Sequence, residues 1–188
     1  MVSTPIKPLT LDEFLVLPET KPASEYVEGL IFYKPMPQGK HSILQTKLVM
    51  IINAILMEQC IATAFTELRC TFGGRSIVPD LSIIKQENIP EDEDGEIANV
   101  FNFAPSWMIE ILSPDQSTTK VVTKILHCLQ YGTEVGWLID PAEKSIFIYH
   151  SQNQIELVGD VKQELIVPSF ASAVKLTSKD IFSWLKKN

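Results

Sequence analysis

The sequence has 188 residues, is 45% apolar and carries a net charge of −7, which is typical of one globular domain with a substantial core. No apolar run approaches the ~20 residues of a membrane-spanning helix, and the N-terminal residues lack a signal-peptide core, so we expect a cytosolic protein outside the membrane. Three cysteines without metal-ligand spacing argue against a disulfide framework and against a zinc site.

The negative charge is concentrated in one segment. Residues 86–99 contain six acidic side chains and no Lys or Arg, so the rest of the chain carries only −1. The segment lacks the alternating ligands and terminal Glu of an EF-hand, and we interpret it as a mobile, solvated loop. A protein with this net charge is unusual among nucleic-acid binders, but its distribution leaves room for a basic face elsewhere.

The first part of the chain predicts a helix, a strand and a second helix. A capping box of Thr10 and Glu13 begins a short helix over 10–17. Residues 25–35 contain a strand that Gly29 interrupts with a turn or bulge. A long amphipathic helix follows over 39–58, and His41 in its first turn is interpreted as structural.

Two strands come next, over 62–69 and 75–85, and Gly73-Gly74 joins them as a hairpin. Pro79 in the second strand indicates a sheet edge, a bulge or the start of a strand, because proline cannot donate to the ladder. Strand alternation places Asp80, Ser82 and Ile84 on one face.

Residues 104–141 predict a buried strand, a crossover helix and a second buried strand, a unit of the parallel-sheet type. The first strand, over 107–112, is apolar on both faces except at Glu110. A buried carboxylate must be paired, protonated or bound to a metal, because an isolated buried charge is too costly. The second strand covers 135–139, and we expect Trp107 and Trp137 to lie in the core.

The helix of this unit carries two stripes. Asp115 or Ser117 is placed to cap it, and Gly132 ends it. One stripe has the spacing of a core-facing side and consists of Val121, Val122, Ile125, Leu126 and Leu129. The opposite stripe consists of Lys120, Lys124, His127 and Tyr131. Lys124 comes to the level of Glu110 along the sheet, but it points away from the apolar stripe and only its long stem could bridge the gap.

The last part of the chain predicts a meander of strands over 145–149 and 154–158, with short strands at 165–167 and 174–176. A final helix covers 178–186. Because no repeat, linker or low-complexity segment interrupts the chain, we interpret residues 1–188 as a single domain.

Four residues stand out by their local environment: Glu25, Asp80, Glu110 and Lys124. Carboxylates that converge from neighbouring strands form a hard-oxygen site suited to Mg²⁺ or Mn²⁺. Such an ion polarises a phosphoryl oxygen and activates water, and a nearby lysine can orient that water or stabilise developing charge. From these residues alone, a purely structural ion pair between Lys124 and Glu110 is an equal alternative.

The ordered set of motifs resembles the PD-(D/E)XK nuclease superfamily and, within it, the Uma family of restriction-endonuclease-like proteins. The matching positions are 25–29 (EYVEG), His41, Pro79-Asp80, 110–114 (EILSP), Lys124, Gly132 and 137–141 (WLIDP). The resemblance covers nearly the whole chain, from Thr10 to the C-terminal helix. It implies an α/β fold with a restriction-endonuclease-like mixed central sheet flanked by helices, and additional antiparallel strands.

The resemblance also implies a metal-dependent endonuclease that hydrolyses phosphodiester bonds, with DNA a better candidate substrate than RNA. Asp80 and Glu110 would bind Mg²⁺ or Mn²⁺. Lys124 would be the catalytic lysine, moved onto the helix because the position of the family's strand lysine holds Leu112. Glu25 would be an accessory acid near the metal, and Glu28 is the alternative for that role.

Two positions depart from the family pattern. Val78 stands where the family often has Arg, and Cys128 stands where it often has Tyr. These departures leave open a catalytically inactive nucleic-acid-binding or regulatory module on the same fold, and a structural interaction protein is a second alternative. Because many nucleases that cut duplexes pair two sites about a two-fold axis, we expect a homodimer.

Overall fold

The computed structural model describes residues 8–114, 116–150, 154–159 and 161–187. Its helices are α1 (Leu11–Leu15), α2 (Gly39–Leu56), α3 (Thr118–Gln130) and α4 (Ser178–Ser183). Its strands are β1 (Ser24–Val27), β2 (Leu30–Tyr33), β3 (Ala62–Thr66), β4 (Cys70–Phe72), β5 (Arg75–Ile77), β6 (Leu81–Lys85), β7 (Trp107–Ile111), β8 (Val135–Asp140), β9 (Ser145–His150) and β10 (Ile155–Val158).

The strands of the described residues form two sheets. The larger sheet has the order β10-β9-β8-β7-β6-β3, and the smaller has the order β2-β1-β5-β4. In the larger sheet β7 and β8 pair in parallel, with α3 as their crossover, and the other neighbours pair antiparallel. The architecture is the predicted one: a mixed central sheet with flanking helices and additional antiparallel strands.

Strand alternation divides the core into two clusters, one on each face of the large sheet. On one face Trp107 and Ile109 of β7 pack with α2 and the C-terminal segment. Trp107 meets Trp137 edge-on with ring centroids 4.9 Å apart, so both indoles belong to the core as predicted. On the other face Met108 of β7 packs with α3 and the smaller sheet. Residue 110 has the same parity as Met108 and therefore faces α3.

The hairpin at Gly73-Gly74 is present, but the two long strands predicted around it are each broken in two. β4 and β5 form the hairpin in the smaller sheet, whereas β3 and β6 pair with each other in the larger sheet. The break in the second strand falls at Val78-Pro79, where proline offers no N–H to a ladder. Asp80 consequently stands directly before β6.

The buried face of α3 differs from the predicted one. Lys124 lies on the buried face with Val121 and Ile125, whereas Leu126, assigned to the core stripe, is 47% exposed. His127, assigned to the outward stripe, is also buried. Periodicity treats every charged residue as outward-facing, and it fails here because the sheet beneath α3 presents carboxylates. Gly132, with φ +106°, follows the end of α3.

The contact between α3 and the sheet is close because β8 has no side chain at one position. A Cβ atom at Gly136 would lie only 2.5 Å from Cγ2 of Ile125. The helix therefore packs against β8 at a distance that only glycine permits, and Lys124 is the residue next to Ile125. At its start, Ser117 occupies the N-cap without a side-chain hydrogen bond, and Asp115 lies outside the described residues.

The remaining predictions hold in part. The acidic segment contains a 3-10 turn over Gln86–Asn88 and an isolated bridge between Glu91 and Ile97. The short strands predicted at 165–167 and 174–176 do not form, and an isolated bridge joins Glu164 to Thr177 instead. None of the helices in the described part of the chain is both long and apolar enough to cross a bilayer.

Candidate active site

The two strand carboxylates lie side by side. Leu81 pairs with Ile109 in the antiparallel register of β6 and β7, and extending that register by one residue sets Asp80 opposite Glu110. Both side chains are almost completely buried. The site thus forms where the chain crosses from the smaller sheet into the larger one, on the face that carries α3.

Protein donors surround Asp80. Oδ1 accepts a hydrogen bond from Nζ of Lys34 at 2.7 Å, and Oδ2 accepts one from the backbone N–H of Ile111 at 2.7 Å. Nε2 of His41 lies 3.1 Å from Oδ2. Burial alone would raise the pKa of the Asp80 carboxyl, but Lys34 and His41 hold it well below its usual range. Asp80 is therefore ionised.

Glu110 has the opposite environment. Its side chain is 1% exposed, and neither carboxylate oxygen has a partner in hydrogen-bonding geometry. Oε1 does lie 3.0 Å from Nζ of Lys124, so the attraction is ionic without a directed hydrogen bond. Burial, reinforced by the neighbouring Asp80 and Glu25 charges, raises the pKa of Glu110 to about 7, although Lys124 and Lys34 oppose the rise.

Lys124 reaches both Glu110 and Glu25. Its Nζ lies 2.7 Å from Oε1 of Glu25, which also accepts the backbone N–H of Val78 at 2.8 Å. Burial would lower the pKa of Lys124, but Glu110 and Glu25 raise it above its ordinary value, so the ammonium stays charged. Glu28, the alternative accessory acid, is exposed and pairs with Arg75.

Lys34 is the site residue that sequence analysis missed. Its ammonium contacts Asp80, Oε2 of Glu67 at 2.9 Å and the carbonyl of Val78 at 2.9 Å. The sequence did contain one indication of its position: a hairpin centred on Gly29 brings Lys34, the residue after β2, alongside the start of β1. Lys34 indeed donates its backbone N–H to the carbonyl of Ala23, two residues before Glu25.

Residues 11–177 match the model of the Uma2 family, described as "Putative restriction endonuclease". This chain belongs to the Uma2 family. It is also similar to a solved structure, that of a "putative nuclease belonging to DUF820" from Anabaena variabilis, at 58% identity and a TM-score of 0.93, over 95% of this chain and 100% of the other. The comparison with curated proteins gives no match.

Membership of the Uma2 family confirms the predicted resemblance, and the similar structure confirms the restriction-endonuclease-like fold. In this Uma2 chain the two departures from the expected pattern fall beside the site. Val78 is buried and contributes its backbone N–H and C=O to Glu25 and Lys34. Cys128 is buried one turn beyond Lys124, and burial raises the pKa of its thiol well above the usual value.

The oxygen atoms of this Uma2 site are of the type that a divalent cation prefers, but their number and arrangement match a metal site less well. Carboxylate oxygens are the ligands that Mg²⁺ and Mn²⁺ prefer, and Glu110 has two oxygens without a hydrogen-bond donor. However, among the residues that the structure describes, no three His, Cys, Asp or Glu side chains converge as a metal cluster. Lys34 and Lys124 supply the positive charge at this place.

Two clefts open onto the site, and both are lined in part by Lys34. The first has a volume of about 380 Å³ and reaches Asp80 and His41. The second has a volume of about 700 Å³ and reaches Glu25 and Lys124. A molecule bound in either cleft can therefore approach one half of the charged network.

Proposed function

We propose that the protein is a metal-dependent endonuclease that hydrolyses phosphodiester bonds, with DNA as its substrate. The observation that carries this proposal is Glu110, a buried carboxylate without a hydrogen-bond donor that lies beside Asp80 and faces Lys124. The Uma2 family and the nuclease description of the similar structure support the reaction class.

Asp80 and Glu110 would hold one Mg²⁺ or Mn²⁺ ion, with water in the remaining ligand positions. The bound ion would polarise the phosphoryl oxygen and lower the pKa of a water molecule. Because a carboxylate must be ionised to bind metal, the raised pKa of Glu110 makes metal binding release a proton near neutral pH.

The chain's own residues would act on the phosphate. Lys124 is held charged by Glu25 and Glu110, so its ammonium can stabilise negative charge that develops on the phosphoryl oxygens. Glu25 fixes the position of that ammonium and is itself fixed by the Val78 N–H. The larger cleft adds further cations, Lys120 and Arg75, along which a phosphate backbone could lie.

Cleavage assays test the proposal. Plasmid DNA, linear duplex DNA, single-stranded DNA and RNA would be incubated with the protein and Mg²⁺ or Mn²⁺, and with chelator as the blank. We expect nicking or cleavage of DNA that requires the metal and is lost in Asp80→Asn and Glu110→Gln. Equal cleavage by the wild type and both variants would indicate a contaminating nuclease and contradict the proposal.

One observation favours a second function, a catalytically inactive nucleic-acid-binding module. Both oxygens of Asp80 are satisfied by protein groups, and each of the two buried lysines already neutralises a carboxylate. Such a network could be stable without any metal. This alternative predicts DNA binding by the wild type without Mn²⁺ binding and without cleavage.

The homodimer in this proposal is supported by an apolar strip on α2. Ile43 and Met50 of α2 and Met57, its C-cap residue, are exposed and seven residues apart, so they lie along one line of the helix. Antiparallel pairing of two copies about Met50 would set Ile43 of each against Met57 of the other and bring Lys40 near Glu58. We expect a dimer in sedimentation equilibrium that Met50→Glu converts to a monomer. A monomeric wild type would contradict this.

The cytosolic location is also a proposal, and the cysteines support it. Cys60, Cys70 and Cys128 are all free in the structure, as expected for a chain kept in a reducing compartment.

A further inference from the structure

Lys34 has no unused hydrogen-bonding capacity. An ammonium has three N–H donors, and Lys34 directs them at Asp80 Oδ1, Glu67 Oε2 and the Val78 carbonyl, at 2.7 to 2.9 Å. Its side chain is 8% exposed. A positive charge is thus already held on Asp80, the carboxylate to which the proposed function assigns a divalent ion.

The two carboxylates of the site are not equally available to a metal. Oδ2 of Asp80 accepts the backbone N–H of Ile111, a donor that is fixed within β7. Oδ1 of Asp80 is therefore the oxygen that a metal could take, and Lys34 is on it. Oε2 of Glu110 has no hydrogen-bond donor, and Oε1 lies 3.0 Å from Nζ of Lys124 without a directed hydrogen bond. A metal that binds both carboxylates must consequently compete with Lys34.

Lys34 is also placed so that it can leave. It follows the last residue of β2, which is an edge strand of the smaller sheet and partly exposed. The cleft of about 700 Å³ lies directly beside it and offers space for a long flexible side chain. Lys124, by contrast, lies on the buried face of a helix and is held between Glu25 and Glu110.

We propose that Lys34 is an internal cation that holds Asp80 in the metal-free protein, and that a divalent ion displaces it into the larger cleft. This inference rests on the proposed function, because it requires a metal at Asp80 and Glu110. The displaced ammonium then lies in the cleft where the phosphate backbone is proposed to bind. If metal binding releases Lys34 and thereby raises the affinity of the cleft for phosphate by some factor, a phosphate that binds Lys34 raises the affinity for the metal by the same factor.

Amine labelling of the wild-type protein tests the displacement directly. A small acylating reagent would be applied with and without saturating Mn²⁺, and the modified lysines would be located by mass spectrometry. We expect Mn²⁺ to speed the labelling of Lys34 by about tenfold or more, because the reactive neutral amine forms only in the population whose Lys34 side chain is exposed. Lys124 should stay protected under both conditions, and Lys85, which is about one-third exposed, should label equally in both.

Mn²⁺ affinity, measured from the electron paramagnetic resonance signal of the free ion, gives the second readout. Lys34→Met should bind Mn²⁺ about tenfold more tightly than the wild type, because the competitor is removed. Lys120→Met is the matched control: it removes the same charge from the wall of the same cleft, where the ammonium lies over Phe32 and not on Asp80. Its affinity should change little.

Three outcomes would overturn the inference. If Mn²⁺ binds the wild type while Lys34 stays protected, the displacement is wrong although the metal site stands. If Lys34→Met and Lys120→Met increase Mn²⁺ affinity equally, the increase comes from the lower positive charge of the cleft and not from the loss of a specific competitor at Asp80. If neither the wild type nor Lys34→Met binds Mn²⁺, the metal site of the proposed function fails together with the inference.

Discussion

The ammonium of Lys124 lies closer to Glu25, at 2.7 Å, than to Glu110, at 3.0 Å. Glu25 belongs to the smaller sheet and Glu110 to the larger one, so a single helix residue connects the two sheets through charge. The same Glu25 oxygen accepts the N–H of Val78, in the segment that crosses between the sheets. The candidate site is therefore also a structural junction, and its chemistry and its stability must be tested separately.

Replacement of Lys124 by Met tests both roles. Without metal, we expect a loss of roughly 3–5 kcal/mol in the free energy of unfolding, because two buried carboxylates lose their shared cation. With Mn²⁺ the loss should be smaller, and the cleavage rate should fall by a factor on the order of 10² or more. Urea denaturation and single-turnover cleavage measure the two effects.

Lys179→Met is the control for Lys124→Met, since Lys179 is exposed on α4 outside the site and should affect neither quantity. If the Lys124 variant is strongly destabilised and the wild type cleaves no DNA or RNA with any divalent metal, the ion network is structural. The structural alternative would then replace the nuclease assignment.

Asp80→Asn should abolish the stabilising effect of Mn²⁺. For an ion at a hundred times its dissociation constant, binding adds about 2.7 kcal/mol to the stability of the wild type. In a domain of this size that corresponds to a rise of about 5–10 °C in melting temperature. The variant should show no rise, because it lacks one of the two proposed anionic ligands.

Differential scanning calorimetry with and without Mn²⁺ gives the comparison for Asp80→Asn. Asp180→Asn, which alters only the cap of α4, serves as the matched control and should keep the full Mn²⁺ response. Equal shifts in the wild type and in Asp80→Asn would rule out a shared ion between Asp80 and Glu110.

The raised pKa of Glu110 predicts a pH-dependent stability. The charged groups that face it are Asp80, Glu25, Lys34 and Lys124. Because the folded protein holds this proton more tightly than the unfolded chain does, the stabilisation is fully present below pH 4.5 and is lost as pH rises through about 7. The total loss should be on the order of 3 kcal/mol, at up to about 1.4 kcal/mol per pH unit.

Chemical denaturation of metal-free protein between pH 5 and 8 measures this slope. Glu110→Gln cannot ionise, so it should flatten the profile and be more stable than the wild type at pH 8. Asp80 acts in a separate range, since its lowered pKa contributes stability that is lost only in acid. A Glu110→Gln profile parallel to that of the wild type would show that another group is responsible.

The acidic segment can be tested by shortening it. Residues 86–89 contact the sheet, since Gln86 donates to the carbonyl of Ile61 and Ile89 packs on the core. The exposed turn is 91–97, and its ends meet because Ala98 donates to the carbonyl of Pro90 at 2.8 Å. Replacing 91–97 by a short Gly/Ser link should change stability little, because loop length costs free energy only logarithmically.

The same replacement removes five negative charges, and it should strengthen nucleic-acid binding at low salt. Fluorescence anisotropy at two salt concentrations measures this effect, and a scrambled 91–97 segment of unchanged charge is the control. Aggregation or a large drop in melting temperature would show that the turn is a packed element.

The sequence predicted the carboxylates of this site better than its cations. Glu110 could be found because it is the single ionisable residue in an apolar strand, and strand alternation placed Asp80 on a definite face. Lys124 was found but set on the wrong side of its helix. A helical wheel sorts residues by polarity, whereas the buried side of α3 is decided by which charges lie opposite it.

Lys34 and the change of sheet at Pro79 could not be predicted, for a different reason. The contact between Lys34 and Asp80 spans 46 residues and depends on how the two sheets meet, which no local pattern encodes. Pro79 was predicted to mark a sheet edge, a bulge or the start of a strand, and the last of these is confirmed, because β6 begins at Leu81. The change of sheet at this point, which carries Asp80 to the site, depends on the same long-range packing.

The missing side chain at Gly136 has a consequence for how this site could change over generations. The side chain of Ile125 occupies the space that a Cβ atom on residue 136 would need, so α3 lies as close to β8 as a bare backbone allows. A larger residue at position 136 would push α3 outward and move Lys124, the neighbour of Ile125, away from Glu25 and Glu110. A displacement of about 1 Å in an active site can lower the reaction rate by a factor of 10². Substitution of Gly136 by a larger apolar residue could therefore abolish activity although it changes no charge and no residue of the candidate site. A chain inactivated in this way would still carry all of the family's motif residues.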